Sequence, residues 1–240
     1  MELFEAKPKM KKLIHDFLHR FFPRLWFVGK YRVENEYQEF VYSRRDLAAY
    51  GSTLAKLRAL SPVFRRAVEG KSFLEIGCDT GFFPMQAALF GARRAVGLDR
   101  NAEALERGDK VKTRLGLERV EFRRGVVPHV EIPEVFDTVL FLSIIHYMFS
   151  DTCGNRMPFA SMDSLVSYLA KHTKNALFLE FVTPEDPMVG KLVKDELLES
   201  GEYSEESLVN TLKHYYEEVE HLGRTANVTR PLYAASHPKG

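Results

Sequence analysis

Short apolar runs and helically spaced apolar residues alternate along most of the chain. The run Phe73–Ile76 ends at Gly77, and so brief a run ending in glycine is typical of a buried parallel strand. From Gly81 onward apolar residues recur at helical spacing, and a second run over 95–98 ends at Asp99. Strand, glycine-bearing turn, helix and strand in this order predict one βαβ unit of a doubly wound sheet.

The same alternation continues towards the C-terminus. It predicts further strands at 120–123, 136–143, 176–182, 216–220 and 232–235, the last two as a hairpin. It predicts helices at 101–115, 162–172 and 188–200, and a further helix that Ser204 opens as its cap. These elements favour an α/β fold built on a doubly wound, mostly parallel sheet.

The N-terminal residues differ from the rest. Residues 1–32 are rich in lysine and arginine, and their apolar residues keep a helical stripe from Met10 to Phe22 until Pro23 stops it. We expect such a helix to pack on the main domain, or on a second copy in a homodimer. Alternatively, residues 1–30 contact an anionic membrane surface or a lipid-linked substrate.

This difference suggests a boundary near residue 43. We predict a helical N-terminal extension or lid over 1–43 and a main domain over 44–240. The first part of that domain, 44–68, is expected to be helical with a break at Pro62.

Composition narrows the class of protein. A net charge of +1 over 240 residues gives no global field for nucleic acid. The two cysteines, Cys78 and Cys153, show neither C-x-x-C nor zinc-site spacing, so we expect no metal and a cytoplasmic location. No apolar stretch reaches the roughly 18 residues of a membrane span, so we expect a soluble protein.

The first βαβ unit is suited to a nucleoside cofactor. Gly77 and Gly81 allow the backbone to approach a ligand, and Asp99 at a strand end can accept hydrogen bonds from ribose hydroxyls. Glu75 and Asp79 disfavour an anionic pyrophosphate but tolerate a sulfonium that carries an ammonium group. Nicotinamide or flavin binding, or a βαβ unit without a ligand, are the alternatives.

The pattern Glu75-x-Gly77-x-x-x-Gly81 resembles motif I of the class I S-adenosylmethionine-dependent methyltransferases, usually E/D-x-G-x-G-x-G, with Asp79 at the middle glycine. The resemblance covers roughly residues 44–237 and implies a seven-stranded Rossmann-like sheet with S-adenosylmethionine as the cofactor. The cofactor-binding positions that it implies are Glu75, Gly77, Cys78, Asp79, Gly81, Asp99, Arg100, Gly125, Val126 and Ser143.

The segment after the fourth strand of the sheet carries the catalytic candidates. Leu142 to Met148 resembles the L-S-x-x-H-H segment of several small-molecule and saccharide methyltransferases, and the matching segment of the tRNA wobble-uridine carboxymethyl transferases. His146 is a candidate base, or else a structural histidine. Glu180 is expected to orient a substrate hydroxyl or His146, or to pair with a buried arginine.

Further residues are candidates for contact with the substrate. In many class I methyltransferases a segment before motif I folds over the cofactor, which makes Tyr42, Arg44 and Tyr50 candidates for an anion of the cofactor or substrate. The alternative is a solvated helix. Tyr147 is expected to line the pocket, and Arg156 to contact the substrate from the long loop 149–161.

The acceptor is approached by elimination. The chain lacks the D/N-P-P-Y/F run that the resemblance associates with amino-group methylation of bases, and neither cysteine is placed as a nucleophile for C5 methylation. A metal-dependent catechol-type site would need more acids than Asp137 and Glu180. O-methylation of a small molecule, saccharide or phosphate-bearing carrier is the leading expectation. The alternatives are an RNA acceptor or a non-catalytic S-adenosylmethionine-binding subunit.

Overall fold

Two sheets and the helices around the larger one make up the computed structural model, which describes residues 31–34, 37–44, 46–151, 157–225 and 229–239. The strands are β1 Tyr31–Glu34, β2 Glu39–Ser43, β3 Asp46–Ala49, β4 Ser72–Ile76, β5 Arg94–Asp99, β6 Val120–Arg124, β7 Phe136–Phe141, β8 Thr173–Glu180, β9 Tyr216–Arg224 and β10 Pro231–Pro238. The helices are α1 Gly51–Leu60, α2 Phe64–Val68, α3 Phe82–Leu89, α4 Ala102–Leu115, α5 Ile145–Met148, α6 Met162–His172, α7 Val189–Leu192, α8 Asp195–Glu199 and α9 Glu205–Tyr215.

The larger sheet has seven strands in the order β6-β5-β4-β7-β8-β10-β9. The first five of these pair in parallel, and β10 runs antiparallel to both β8 and β9. The predicted seven-stranded, mostly parallel sheet and its final hairpin are therefore confirmed. The order reverses between β4 and β7, and in a doubly wound sheet such a switch point opens a crevice at the carboxyl ends of the strands.

The two central strands explain why their sequences read as continuous apolar runs. Every residue of β4 and of β7 is buried, because helices cover both faces of the sheet. One apolar core contains Leu74, Phe141 and Leu179, and the other contains Phe73, Phe82 and Leu140. Neighbouring residues of one strand thus face opposite cores, as the two-residue period requires.

Two helices have the N-terminal capping residues that the sequence predicts. The Asn101 side chain accepts hydrogen bonds from the backbone N–H of Glu103 and Ala104, and Gly116 ends α4 in the left-handed conformation. Ser204 caps α9 through the N–H of Ser207. The caps therefore fix both helices close to their predicted starts.

The region before motif I differs from the prediction. A helix was expected over 44–68, but residues 46–49 form β3, which pairs with β2 and ends where α1 begins. In the N-terminal extension, the described residues of 31–43 lie in or between β1 and β2 rather than in a helix. The predicted helical stripe lies outside the described residues.

The predicted helix over 188–200 is also interrupted. It forms α7 and α8, because Val193 between them takes an extended conformation and buries its side chain. Within the described ranges, no helix combines the length and the apolar character that crossing a membrane requires.

Candidate functional site

A cavity of about 170 Å³ opens at the carboxyl ends of β4, β5 and β7. Its walls come from the turn after β4, the residues after β5 and β6, the segment 142–148 and a roof supplied by residues 37–38 and α1. It lies at the switch point of the sheet, where α/β proteins bind their ligands.

The turn after β4 brings the backbone into the cavity wall. Gly77 and Gly81 have φ values of +80° and +82°, and Asp79 has +46°, so three positions of the turn are left-handed. A Cβ atom at Gly77 would lie 2.7 Å from the side chain of Ile144, and one at Gly81 would overlap the ring of Phe122. Both glycines are therefore required by conformation and by close packing.

Asp99 is held rigidly beside this turn. Its Oδ2 accepts a hydrogen bond from the Asp79 N–H at 2.7 Å, and its Oδ1 accepts one from the Asn101 N–H at 2.8 Å. Burial raises the pKa of Asp99, although both of these hydrogen bonds act to lower it. Each carboxylate oxygen has a further lone pair, so the group can accept the two hydroxyls of a ribose at the cavity.

Glu75 lies on the cavity wall with an unsatisfied oxygen. The residue is only 2% exposed, and its Oε2 has no hydrogen-bond partner. Burial raises the pKa of the Glu75 carboxyl well above its usual value; the charge of Lys56 lowers it, and Asp99 and Asp79 raise it further. A cationic ligand group at Oε2 would compensate this buried acid, and the ammonium group of S-adenosylmethionine fits that requirement.

The roof of the cavity was not anticipated from the sequence. The Gln38 amide donates to the Cys78 carbonyl at 2.8 Å and accepts from the Phe82 N–H at 3.1 Å, so it ties the roof to the turn. The hydroxyls of Tyr37 and Tyr147 lie 3.2 Å apart, which joins the roof to α5. The sequence carries no local signal for this role, because the burial of Gln38 follows from contacts between distant segments.

Lys56 is a second residue that sequence reasoning missed. It lies in α1 on the cavity wall, close enough to Glu75 for its charge to act on that carboxyl. An acid and a base on one cavity wall match the amino and carboxylate groups of an amino acid. This role had been expected of Tyr42, Arg44 or Tyr50.

Those three candidates lie away from the cavity wall. Tyr42 stacks on Tyr31, with ring centroids 5.4 Å apart, and Arg44 is exposed in the turn between β2 and β3. The hydroxyl of Tyr50 accepts a hydrogen bond from Arg32 Nε at 2.6 Å. The β2–β3 hairpin replaces the expected helix and turns these side chains elsewhere. Arg156 lies outside the described residues.

Most of the implied cofactor positions are on the wall. Glu75, Gly77, Asp79, Asp99, Arg100, Gly125, Val126 and Ser143 all line the cavity. Cys78 and Gly81 do not: the Cys78 thiol is buried next to Gly97, and Gly81 packs under Phe122. These two residues shape the turn through their backbones.

The two catalytic candidates do not line the cavity among the described residues. Ile144, Tyr147 and Met148 face it, whereas His146 is 2% exposed and leaves its Nδ1 without a partner. Burial, assisted by the positive charge of Arg230, lowers the pKa of His146 to about 4. Glu180 is fully buried and contacts neither His146 nor an arginine; it accepts hydrogen bonds from Ser143 Oγ and Thr225 Oγ1.

Comparisons with known proteins agree with this geometry. Residues 67–167 match a family model described as "Methyltransferase domain". Over 78 residues the chain is 37% identical to the ribosomal protein L11 methyltransferase of Desulfotalea psychrophila, a match covering 32% of this chain and 25% of that protein. This chain thus spans about a quarter of the length of the curated relative.

Solved structures show the same fold. The PH0226 protein of Pyrococcus horikoshii OT3 is 15% identical, with a TM-score of 0.56 over 78% of this chain and 91% of that one. The N-methyltransferase NodS of Bradyrhizobium japonicum WM9, in complex with S-adenosyl-L-homocysteine, is 16% identical, with a TM-score of 0.53 over 78% and 86% of the two chains. The chain therefore shares the fold of a solved methyltransferase, and its residues 67–167 match a methyltransferase-domain model.

Proposed function

We propose that this S-adenosylmethionine-dependent methyltransferase methylates a hydroxyl oxygen of a small-molecule, saccharide or phosphate-bearing acceptor. The observation that carries the methyltransferase part is the unpartnered Glu75 carboxylate, which lies on one wall with Lys56 and Asp99. These three groups complement the ammonium, the carboxylate and the ribose diol of the cofactor.

The order of the strands gives the direction in which the cofactor would lie. Asp99 is the last residue of β5, and Val126 follows β6 at the outer end of the cavity, where an apolar wall suits a nucleobase. Glu75 belongs to the neighbouring strand β4, and segment 142–148 follows β7 on its other side. The transferred methyl group therefore belongs near Ser143 and Tyr147.

The roof supports a small acceptor. Tyr37 and Gln38 cover the cavity above motif I, and Tyr37 meets Tyr147 on the opposite wall. The acceptor end is lined by the apolar side chains of Ile144 and Met148 and by these two phenols. A compact nucleophile enters such a space more readily than a folded RNA or protein surface.

The chain contributes mainly by positioning the reactants. When bound, the cofactor supplies an electrophilic methyl carbon attached to a positively charged sulfur. Glu75, Lys56 and Asp99 hold the rest of the cofactor in place, while the roof excludes water from the site of transfer. Arg100, which stacks over the Tyr147 ring at 5.7 Å, steadies the wall at the acceptor end.

An RNA acceptor, a membrane contact and a non-catalytic subunit are the alternatives to this function. An RNA acceptor or a membrane contact would depend on the basic residues 1–30, which lie outside the described residues. A non-catalytic S-adenosylmethionine-binding subunit would use the same cavity without an acceptor. Similar proteins act on different acceptors: one is a ribosomal protein L11 methyltransferase and another is an N-methyltransferase.

The test is a screen of acceptors with the full-length protein. Formation of S-adenosylhomocysteine from S-adenosylmethionine would be measured with alcohols, phenols, saccharides, sugar phosphates, amines and bulk tRNA. We expect product with a hydroxyl-bearing small molecule, and less product with the Glu75→Gln variant at the same subsaturating cofactor concentration. Product with tRNA alone, or only with amines, would contradict the proposed acceptor.

A further inference from the structure

A buried acid lies directly behind the acceptor end of the cavity. Glu180 ends β8 with none of its surface exposed, and its Oε2 accepts a hydrogen bond from Ser143 Oγ. Its Oε1 accepts one from Thr225 Oγ1 at 2.7 Å. Ser143 in turn lies on the cavity wall, so one hydroxyl separates Glu180 from the space where methyl transfer is placed.

The serine is held in an unusual conformation. Ser143 has a φ of +59°, which residues other than glycine rarely adopt without support. It lies two residues after the end of β7, and its hydrogen bond to Glu180 at the end of the neighbouring parallel strand β8 spans 37 residues of sequence. Backbone strain of this kind gathers at functional sites, where the surrounding structure maintains it.

The surroundings of Glu180 are unusual for a buried carboxylate. Within the described residues, the contacts of its two oxygens are hydroxyl groups, and no cation pairs with it. A buried acid without a cation is costly, so its retention beside a ligand cavity indicates a use. Because Ser143 donates its proton to Glu180, the serine oxygen keeps lone pairs that can accept a proton from the cavity side.

We propose that Ser143 and Glu180 form a proton relay that activates the hydroxyl acceptor, with Ser143 in contact with the acceptor and Glu180 acting through it. This inference rests on the proposed function, and it supplies the base that a hydroxyl nucleophile needs. His146, the base suggested by the sequence, does not line the cavity.

The proposed step combines proton transfer with methyl transfer. The acceptor O–H bond breaks and its proton passes to Ser143 Oγ, while the serine's own proton passes to Glu180 Oε2. The electron pair of the acceptor oxygen forms the new bond to the methyl carbon, and the carbon–sulfur bond breaks with its pair remaining on sulfur. Glu180 becomes a neutral acid and later returns its proton through Ser143 to solvent.

The test compares Glu180→Gln with the wild type, because glutamine keeps the size of the side chain and can still accept from Ser143 but cannot take up its proton. Acceptors would be matched pairs in which an amine replaces the hydroxyl, phenol with aniline and cyclohexanol with cyclohexylamine, with S-adenosylmethionine as donor. We expect turnover with hydroxyl members and a fall in kcat of about a hundredfold or more in the variant, the usual range for loss of a general base.

Two further readouts separate a relay from mere support of the wall. Affinity for S-adenosylhomocysteine, measured by calorimetry, should be unchanged in Glu180→Gln, and Glu180→Asp should restore part of kcat. The kcat of Glu180→Gln should rise steeply with pH, because hydroxide replaces the missing base, whereas that of the wild type should not. Glu121→Gln, on the far edge strand β6, is the matched control and should behave as the wild type.

The outcomes are distinguishable. Turnover of hydroxyl acceptors that Glu180→Gln leaves intact, or turnover of the amine members alone, would overturn the relay while leaving a methyltransferase in place. Loss of S-adenosylhomocysteine binding in the variant would overturn it in favour of a structural role. If the wild type binds S-adenosylhomocysteine but methylates no acceptor, both the proposed function and the relay are wrong.

Discussion

At the residue scale, the site depends on carboxyl groups placed where burial works against their charge. Glu75 is the clearest case, because nothing in the described structure binds its Oε2. An unpaired buried carboxylate lowers the stability of the free protein and stabilises its complex with a cationic ligand. Stability and binding should therefore respond in opposite directions when the charge is removed.

Replacing Glu75 with glutamine should weaken cofactor binding. A hydrogen bond to a charged group contributes about 1.5–3 kcal/mol, so we expect the Kd for S-adenosylhomocysteine to rise by roughly tenfold to a hundredfold. Calorimetric titration measures this change. An unchanged Kd would show that the ammonium group does not bind at Glu75.

The same variant should be more stable than the wild type at neutral and alkaline pH. Burial raises the pKa of Glu75 in the folded chain, so the stability linked to its neutral form is complete below the unfolded-state pKa and is lost as pH rises through the folded-state pKa. Glutamine does not ionise, so the variant does not lose stability in this way as the pH rises. Urea unfolding of both proteins in mildly acidic and mildly alkaline buffer should show a difference that grows with pH, and a constant difference would contradict the assignment.

Lys56→Gln tests the second half of the amino-acid site. We expect affinity for S-adenosylhomocysteine to fall by roughly tenfold, the lower end for a charged hydrogen bond. Affinity for 5′-methylthioadenosine, which lacks the amino acid, should not change. Lys110→Gln, whose partner Glu106 lies on the surface of α4, is the control. An equal loss for both ligands would mean that Lys56 supports the fold of the roof instead.

At the element scale, residues 37–38 and α1 form the roof, and Gln38 is the link between this roof and motif I. Its amide satisfies the Cys78 carbonyl on one side and the first N–H of α3 on the other. The turn that faces the cofactor is therefore held by a residue about 40 positions earlier. Any change that loosens the roof should also loosen the turn.

Gln38→Ala should increase local opening of the turn. Two buried hydrogen bonds are lost, and we expect the free energy of opening at the Phe82 amide to fall by about 1–3 kcal/mol. Hydrogen exchange of that amide measures the effect. Gln38→Glu keeps the acceptor but not the donor, so an intermediate value is expected. Exchange unchanged in both variants would show that the roof does not hold the turn.

At the scale of the whole molecule, the sequence located the sheet well and the roof poorly, for physical reasons. Gly77 and Asp99 belong to one local βαβ unit, whose spacing is fixed by strand and helix lengths and can be read directly. Gln38 and Lys56 reach the site through contacts between distant segments, which no local period encodes. The sequence predicts a helix over 44–68 where the structure has β3, because the four residues of β3 are too few to show a two-residue period.

His146 shows the same limit within a correctly located segment. The sequence placed 142–148 at the carboxyl edge of the sheet, and the cavity is indeed there. Which side chains of the short helix α5 face it depends on the rotation of one helical turn. That rotation is set by packing of Ile145 into the core, and it turns His146 away from the cavity.

The amino ends of the central strands, opposite the cavity, supply a test of stability that is independent of the cofactor. Asp137 is buried and accepts hydrogen bonds from Ser72 N–H and Oγ, from Arg93 at 2.8 Å and from Asn175 at 3.2 Å. Burial acts to raise its pKa, but the bonds from Ser72 and the charges of Arg93 and Lys174 outweigh it and hold the pKa below its usual value.

Asp137→Asn should therefore lower the free energy of unfolding by about 2 kcal/mol, since a buried hydrogen-bonded charge is lost at the junction of β4, β7 and β8. The loss should be present at neutral pH and should shrink as pH falls through the folded-state pKa of Asp137, because the wild type then loses the same charge. Urea unfolding measures it. Glu106→Gln, a surface change on α4, should cost little, and an equal cost would contradict the account.

We expect the cavity at the carboxyl ends of β4, β5 and β7 to bind the nucleoside of S-adenosylmethionine through Asp99. The most direct test is calorimetric titration of the wild type and of Asp99→Ala with S-adenosylmethionine, S-adenosylhomocysteine and NADH. We predict that the wild type binds S-adenosylmethionine and S-adenosylhomocysteine but not NADH, and that Asp99→Ala binds neither of the first two. Binding of NADH alone, or undiminished binding of S-adenosylhomocysteine by the variant, would contradict it.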